Sequence, residues 1–211
     1  GSSTYNPMAS KGFRNPTIRE MYMFPPQNPD LKPEKLWNYE LSFSQRLMDN
    51  RLSYGLNVFY INGENLIIRL PNPNGSGMLN QNSGEIENWG AEANVGYQFN
   101  PVWSVMVNYS WLHMENPVLA SPEHKLYGGV NFRKGRWSAS TGIQYVKGLY
   151  TDLDAATKEN FVLWDMQGSF KATNYLSFYV RGENLLAQRY EINAGYPMPK
   201  ATFMGGVNIN F

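Results

Sequence analysis

Apolar and polar residues alternate with a period of two along most of this chain, in runs separated by turn residues. Trp37, Tyr39, Leu41 and Phe43 share one face of such a run, with Asn38, Glu40, Ser42 and Ser44 on the other. The same pattern recurs at Leu52–Tyr60, Ala91–Tyr97, Trp103–Trp111, Leu126–Phe132, Trp137–Tyr145, Val162–Phe170 and Leu176–Val180. It ends with Phe203, Gly205, Val207, Ile209 and Phe211 on one face and Met204, Gly206, Asn208 and Asn210 on the other. Period-two alternation places successive side chains on opposite faces of a strand. The pattern predicts about nine strands of about 10 residues, the length a tilted strand needs to cross an apolar band. Trp37, Tyr60, Tyr97, Trp103, Trp111, Trp137 and Tyr145 lie near strand ends, where an interfacial girdle places aromatics.

The connections alternate in length. Met48–Arg51, Asn100–Pro101, Lys134–Gly135 and Thr173–Asn174 are turn sequences. Between them run longer links, roughly 62–88, 113–121, 147–159 and 186–199. Short and long connections in turn are what an antiparallel up-and-down meander in a membrane barrel requires. Residues 1–34 read differently. Pro16, Pro25, Pro26, Pro29 and Pro33 break strands, so this segment is expected to be an irregular loop preceding the strands of 35–211. Gly1-Ser2-Ser3-Thr4 carries neither Met nor a basic n-region and reads as an expression scar or a cut inside a longer protein.

Composition sharpens this picture. Only 17% of the 211 residues are charged while 15% are aromatic, as suits walls greasy on one face and polar on the other. The net charge of +1 points to no nucleic-acid partner. There is no Cys, which excludes disulfides and thiolate metal sites. No apolar run approaches the roughly 18 residues of a transmembrane helix, which leaves a barrel open.

Several elements resemble TonB-dependent outer-membrane receptors. Lys11-Gly12-Phe13-Arg14-Asn15-Pro16-Thr17-Ile18-Arg19-Glu20-Met21-Tyr22 is similar to their G-F-R-x-P-x-x-x-E-L-y element, with Met21 where the family prefers Leu. Asn28-Pro29-Asp30-Leu31-Lys32-Pro33-Glu34 matches N-P-x-L-x-P-E, and Val180–Leu186 with Tyr190 resembles v-x-v-x-N-L-f-x-x-x-Y. The resemblance implies an all-β fold, the C-terminal segment of a transmembrane barrel of about 22 strands that encloses a plug. It implies import of a scarce nutrient such as an iron chelate, haem or cobalamin rather than a large glycan. It also implies residence in the outer membrane of a Gram-negative bacterium. The implied partners are outer-membrane lipid, an inner-membrane energy-coupling protein reached through the plug, and the barrel-insertion machinery, which reads the terminal aromatic Phe211 as an assembly signal.

The long links are rich in Asn, Gly and Tyr, a mix that offers apolar surface with oriented polar groups. Asn72, Asn74, Tyr150, Asp152, Asp154 and Tyr196 are therefore the candidate ligand-binding residues. Asp152 and Asp154, with Glu159 nearby, also offer oxygen ligands to a cation, but the loop lacks the Gly and ligand count of a dedicated site, so a solvated loop is expected. His113 and His124 flank one link without a third ligand or a nucleophile motif. Neither catalysis nor a cofactor is expected. Glu92, Lys125, Asp165, Lys171, Arg181 and Glu183 fall on the polar face, as do Phe59, Tyr127 and Tyr179, which either pack on a plug or line a substrate path. Two other readings fit the alternation: a soluble β-sandwich or small-barrel binding module, and a small outer-membrane barrel or outer-membrane enzyme.

Overall fold

The protein was described from a computed structural model, which covers residues 2–23 and 25–209. Ten strands form one sheet in chain order, every neighbouring pair antiparallel. They are β1 (Ser2–Arg14), β2 (Glu34–Leu47), β3 (Leu52–Pro71), β4 (Met78–Gln98), β5 (Trp103–Met114), β6 (His124–Lys134), β7 (Trp137–Asp152), β8 (Thr157–Lys171), β9 (Leu176–Glu183) and β10 (Thr202–Ile209). Between β1 and β2 lies a five-residue π-helical turn, Arg19–Met23. The sheet is open, with β1 and β10 at its edges.

The register holds the alternation together across strands. Tyr54, Val95, Val107, Gly128, Ile143 and Trp164 form one row, and Ser44, Gly55, Asn94, Asn108, Tyr127 and Gln144 form a row on the opposite face. The apolar face has no covering layer: Val107, Ile143 and Val180 are 46%, 52% and 66% exposed. Total accessible surface is 14135 Å², against roughly 10,000 Å² for a soluble monomer of this mass. Only Leu31, Val146, Leu149 and Phe161 are buried apolar residues among those described. A sandwich would bury the apolar face as its core; here that face is the outside of a wall, which removes the soluble β-sandwich reading.

Three expectations are corrected. Residues 2–14 are a strand rather than part of an irregular 1–34 segment, and this brings the count from nine to ten. β1 carries weak alternation, with Pro7 opposite Leu41 and Lys11 opposite Trp37, so the period-two signal is faint there. Residues 15–33 do remain non-strand. The 62–88 link is mostly a continuation of the β3–β4 hairpin, whose arms of 20 and 21 residues pair out to Pro71 and Met78. This is twice the roughly 9–11 residues a crossing needs. The Asn-rich 80–82 segment that looked like loop pairs instead with Ile67–Arg69, past register shifts between Gly63 and Ile67 where Asn65 has φ 59°. The 147–159 link is likewise a hairpin, closed at residues 153–156. Phe211 lies outside the described residues.

The three inward aromatics lie on glycines. A Cβ at Gly90 would sit 2.6 Å from the Phe59 ring, one at Gly142 2.4 Å from the Tyr127 hydroxyl, and one at Gly206 2.6 Å from the Tyr179 ring. Phe59–Gly90 and Tyr179–Gly206 are direct cross-strand pairs, so each ring fills the place its partner leaves empty.

The two faces are expected to differ in tolerance of charge. Val107→Arg should cost about 2–4 kcal/mol in the membrane-embedded full-length protein, and Asn108→Arg less than about 1 kcal/mol, by denaturant unfolding in vesicles. Equal costs would contradict the facing.

Candidate ligand-facing loop end

Every connection longer than four residues leaves from one end of the sheet, 15–33, 72–77, 115–123 and 184–201, with the four-residue turn 153–156 among them. The tight turns 48–51, 99–102, 135–136 and 172–175 close the other end. The loop end is organised around two separate anchors.

The first anchor holds loop 15–33. Arg14, the last residue of β1, forks between two carboxylates. Its Nε and Nη2 donate to Glu34 at 2.5 and 2.7 Å, and its Nη1 and Nη2 to Glu20 at 3.0 and 2.9 Å. A planar guanidinium fits two such acceptors at once. Glu20 also accepts from the Thr17 N–H and hydroxyl, both at 2.8 Å, while the Glu20 N–H donates to the Thr17 hydroxyl at 3.2 Å. This is a capping box that fixes the short turn. Glu34 accepts in addition from the Ile67 N–H at 2.9 Å, tying the latch to β3. Hydrogen bonding to Arg14 holds the Glu20 carboxyl at about 2 and the Glu34 carboxyl below its ordinary value, with burial opposing both.

Two amides in the projecting arm of β4 complete this anchor. Asn80 donates to the Glu20 carbonyl at 2.8 Å and its own carbonyl accepts from Asn28 at 2.8 Å. Asn82 accepts from the Lys32 N–H at 2.7 Å and donates to the carbonyls of Lys32 and Asn65. Asn72 and Asn74 sit at the tip of the same hairpin, where the Asn72 side-chain oxygen accepts from the Asn74 N–H at 3.0 Å.

The second anchor joins three connections on the β7–β8 hairpin. The Tyr150 carbonyl accepts from the Ala120 N–H at 2.8 Å and the Thr151 carbonyl from the Ala194 N–H at 3.0 Å. Lys158 bonds Glu123 at 2.5 Å and lies 4.4 Å above the Tyr150 ring, and the carboxylate raises the Lys158 pKa. Val146, Leu149 and Phe161 form a small cluster with Leu163 and Tyr190 packed on it, the Phe161 and Tyr190 rings 4.2 Å apart. Tyr190 belongs to the 184–201 connection, so that connection folds back onto the inward side of β7 and β8. Asn184 pins its start. The buried amide donates to the carbonyls of Gln188 and Pro199, accepts from the Gln188 N–H, and its own N–H reaches Asp165 at 2.8 Å.

The six sequence candidates thus divide. Tyr150, Asp152 and Asp154 lie on the β7–β8 hairpin, and Tyr196 on the connection bonded to it. Asn72 and Asn74 belong with loop 15–33. The Asp152 carboxylate is engaged in its own turn, accepting from the N–H groups of Asp154 and Ala155 at 2.9 and 3.0 Å. Tyr150 carries the lysine, whereas Tyr196 is exposed. His113 stacks on Trp89 with centroids 4.0 Å apart, and His124 bonds the Tyr109 hydroxyl at 2.8 Å. Both rings therefore belong to the aromatic row along the apolar face. Sequence reasoning did not find Asn80, Asn82 or the role of Asn184. The motif residues Arg14, Glu20, Glu34 and Asn184 were visible as a pattern, and the structure gives that pattern a mechanical meaning.

A family model described as "TonB dependent receptor-like, beta-barrel" matches residues 8–185. The chain belongs to this TonB-dependent receptor β-barrel family. It is 26% identical over 216 residues to the vitamin B12 transporter BtuB of Photobacterium profundum, a match spanning 96% of this chain and 34% of the relative. Among solved structures it resembles the ferric enterobactin receptor PfeA of Pseudomonas aeruginosa, with a TM-score of 0.83 at 14% identity over 99% of this chain and 38% of the receptor. The copper transporter OprC gives 0.79 at 17% identity over 99% and 38%. The chain therefore spans about a third of the length of each. Within this TonB-dependent family fold, the G-F-R and N-P-x-L-x-P-E elements are the two halves of the Arg14 latch.

Removing the latch should free loop 15–33 without unfolding the sheet. Arg14→Gln is expected to lower the local opening free energy by about 1–2 kcal/mol, since the guanidinium is half exposed, read by hydrogen exchange of residues 17–33. Because both carboxylates titrate lower when folded, the latch contributes fully above their unfolded pKa of about 4.3. It weakens as pH falls toward about 2, where Glu20 protonates. Protection of the loop should therefore be flat from pH 5 to 8. Asn184 has φ 48°, so Asn184→Ala loses its side-chain hydrogen bonds and strains the backbone. Proteolysis within 186–200 should then accelerate by at least tenfold, while β8 and β9 stay protected.

Proposed function

We propose that this chain forms part of the barrel wall, together with ligand-facing loops, of an energy-coupled receptor that imports a small nutrient across the outer membrane of a Gram-negative bacterium. The observation that carries the reading is the two-faced ladder itself. Its apolar face lies open along ten strands, its polar face carries charges from several strands, and every long connection gathers at one end. Such a wall suits lipid outside and a wet or plugged interior.

The inward face also offers unused polar capacity. The side-chain oxygens of Asn38, Asn57 and Asn88 are shielded and have no hydrogen-bond partner among the described residues. Their own neighbours cover them, so a plug domain would meet instead the exposed charges of the same face. A plug would also supply the link to the inner-membrane energy-coupling protein. The role is transport with no chemical step.

The ligand class that fits best is a metal chelate or corrinoid, with an iron chelate, haem or cobalamin as the choices. Support comes from the name of the B12-transporting relative and from the exposed Tyr and Asn residues of the loop end. Tyr196 and the β7–β8 hairpin tip are the proposed contacts, with Asn72 and Asn74 as a second edge.

The test is growth of a deletion strain supplied with defined iron chelates, haem or cobalamin as sole source, complemented by the full-length gene. Rescue on one source identifies the ligand, and no dependence on any of them sinks the proposal. With the ligand known, Tyr196→Ala should weaken binding about fivefold to thirtyfold, in line with loss of an exposed aromatic contact. Unchanged affinity would remove Tyr196 from the site.

A further inference from the structure

The tight-turn end of the sheet is strongly basic. Across residues 45–52, 97–104, 132–138 and 170–177 there are six basic side chains, Arg46, Arg51, Arg133, Lys134, Arg136 and Lys171, and one acid, Asp49. Windows of similar extent around the opposite connections, 13–35, 70–79, 113–125, 151–158 and 182–203, are near balance, with nine acids and eight basic residues. None of the six basic groups is in an ion pair among the described residues.

Register divides them into two arcs. Arg46 pairs with Ser53, Arg133 with Ser138 and Lys171 with Ser177, all on the polar face. Lys134 pairs with Trp137 on the apolar face. The Arg51 guanidinium lies 5.8 Å from the centroid of Tyr97, which is also on the apolar face. Arg51 and Arg136 hold matching places, each just before a strand, and each reaches across to the neighbouring tight turn. Arg51 donates to the carbonyls of Gln98 and Phe99, and Arg136 to that of Ala172 at 3.1 Å. Neutral carbonyls orient the guanidinium but leave its charge uncompensated. Around this outer arc stand Phe99, Trp103 and Trp137, all exposed. Exposed indole and phenyl rings beside fixed cations, at the edge of an apolar wall, match the chemistry of a lipid headgroup layer. An acidic soluble partner would have no use for the apolar rings.

We propose that Arg51 and Lys134 form a binding surface for the phosphate groups of anionic phospholipids in the periplasmic leaflet, with the neighbouring aromatics seated at the ester level. The proposal rests on the barrel reading given above. The full-length protein would be reconstituted into nanodiscs of equimolar phosphatidylcholine and phosphatidylglycerol, released into detergent, and its retained lipids counted by native mass spectrometry. One cation near an anionic surface is worth about a fivefold preference. Wild type should therefore retain phosphatidylglycerol in at least fivefold excess, and Arg51→Gln/Lys134→Gln should bring the ratio near one. The lumen triple Arg46→Gln/Arg133→Gln/Lys171→Gln should leave it unchanged. Arg51→Lys keeps charge while dropping the carbonyl ties, and should retain the excess even if the double variant assembles badly. Equal retention by wild type, or loss of the excess in the lumen triple or in the lysine variant, overturns the assignment. So does binding of a polyglutamate peptide by the outer arc without any phosphatidylglycerol excess. A protein that remains aqueous and never enters phosphatidylcholine discs would instead refute the barrel reading.

Discussion

Backbone N–H and C=O groups placed in hydrocarbon find no water to bond, so each must bond another strand. That constraint orders the rest of this molecule. It forces an unbroken antiparallel ladder, and the ladder forces every second side chain outward. The wall thus needs no core in the usual sense. Val146, Leu149 and Phe161 form the small cluster that exists among the described residues, and they serve to hold a connection in place rather than to stabilise the sheet.

The loop end obeys a different rule. There the chain is in water and the ladder can stop, so side chains take over the work of fixing backbone. Arg14 and its two carboxylates, Asn80, Asn82 and Asn184 each satisfy several partners at once. Long arms of β3 and β4 serve as a frame for a neighbouring loop instead of as membrane wall. The result is a loop end with two preorganised halves, which lowers the ordering cost of any ligand bound between or beside them.

The strands that cross the membrane were legible in the sequence because lipid and lumen impose strict alternation on them. β5 through β7 show it from Trp103 to Tyr145. Where that constraint lapses, legibility lapses too. β1 alternates poorly because Pro7 and Lys11 stand on the face it shares with Leu41 and Trp37. The outer arms of β3 and β4 look like loop because their Asn side chains bond to loop 15–33 rather than facing lipid. The site was only partly legible for a related reason. Loop composition marked Tyr196 and the β7–β8 tip, but it could not show that the Asp152 carboxylate is taken up by its own turn. Nor could it show that Asn184 binds four groups separated by up to 34 residues in the chain, from Asp165 to Pro199.

The rings of Phe59, Tyr127 and Tyr179 lying flat on glycines bear on the bore of the completed tube. A wall built this way is one ring thick at those points, and its thickness is governed by hydrogen atoms. A single methyl added at residue 142 or 206 leaves its ring no room to lie down, whereas one at residue 90 meets the Trp111 carbonyl oxygen before it meets the ring. The ring must then swing off the wall into the interior. The inner contour of the wall is thus adjustable from beneath the surface, by residues that the rings cover.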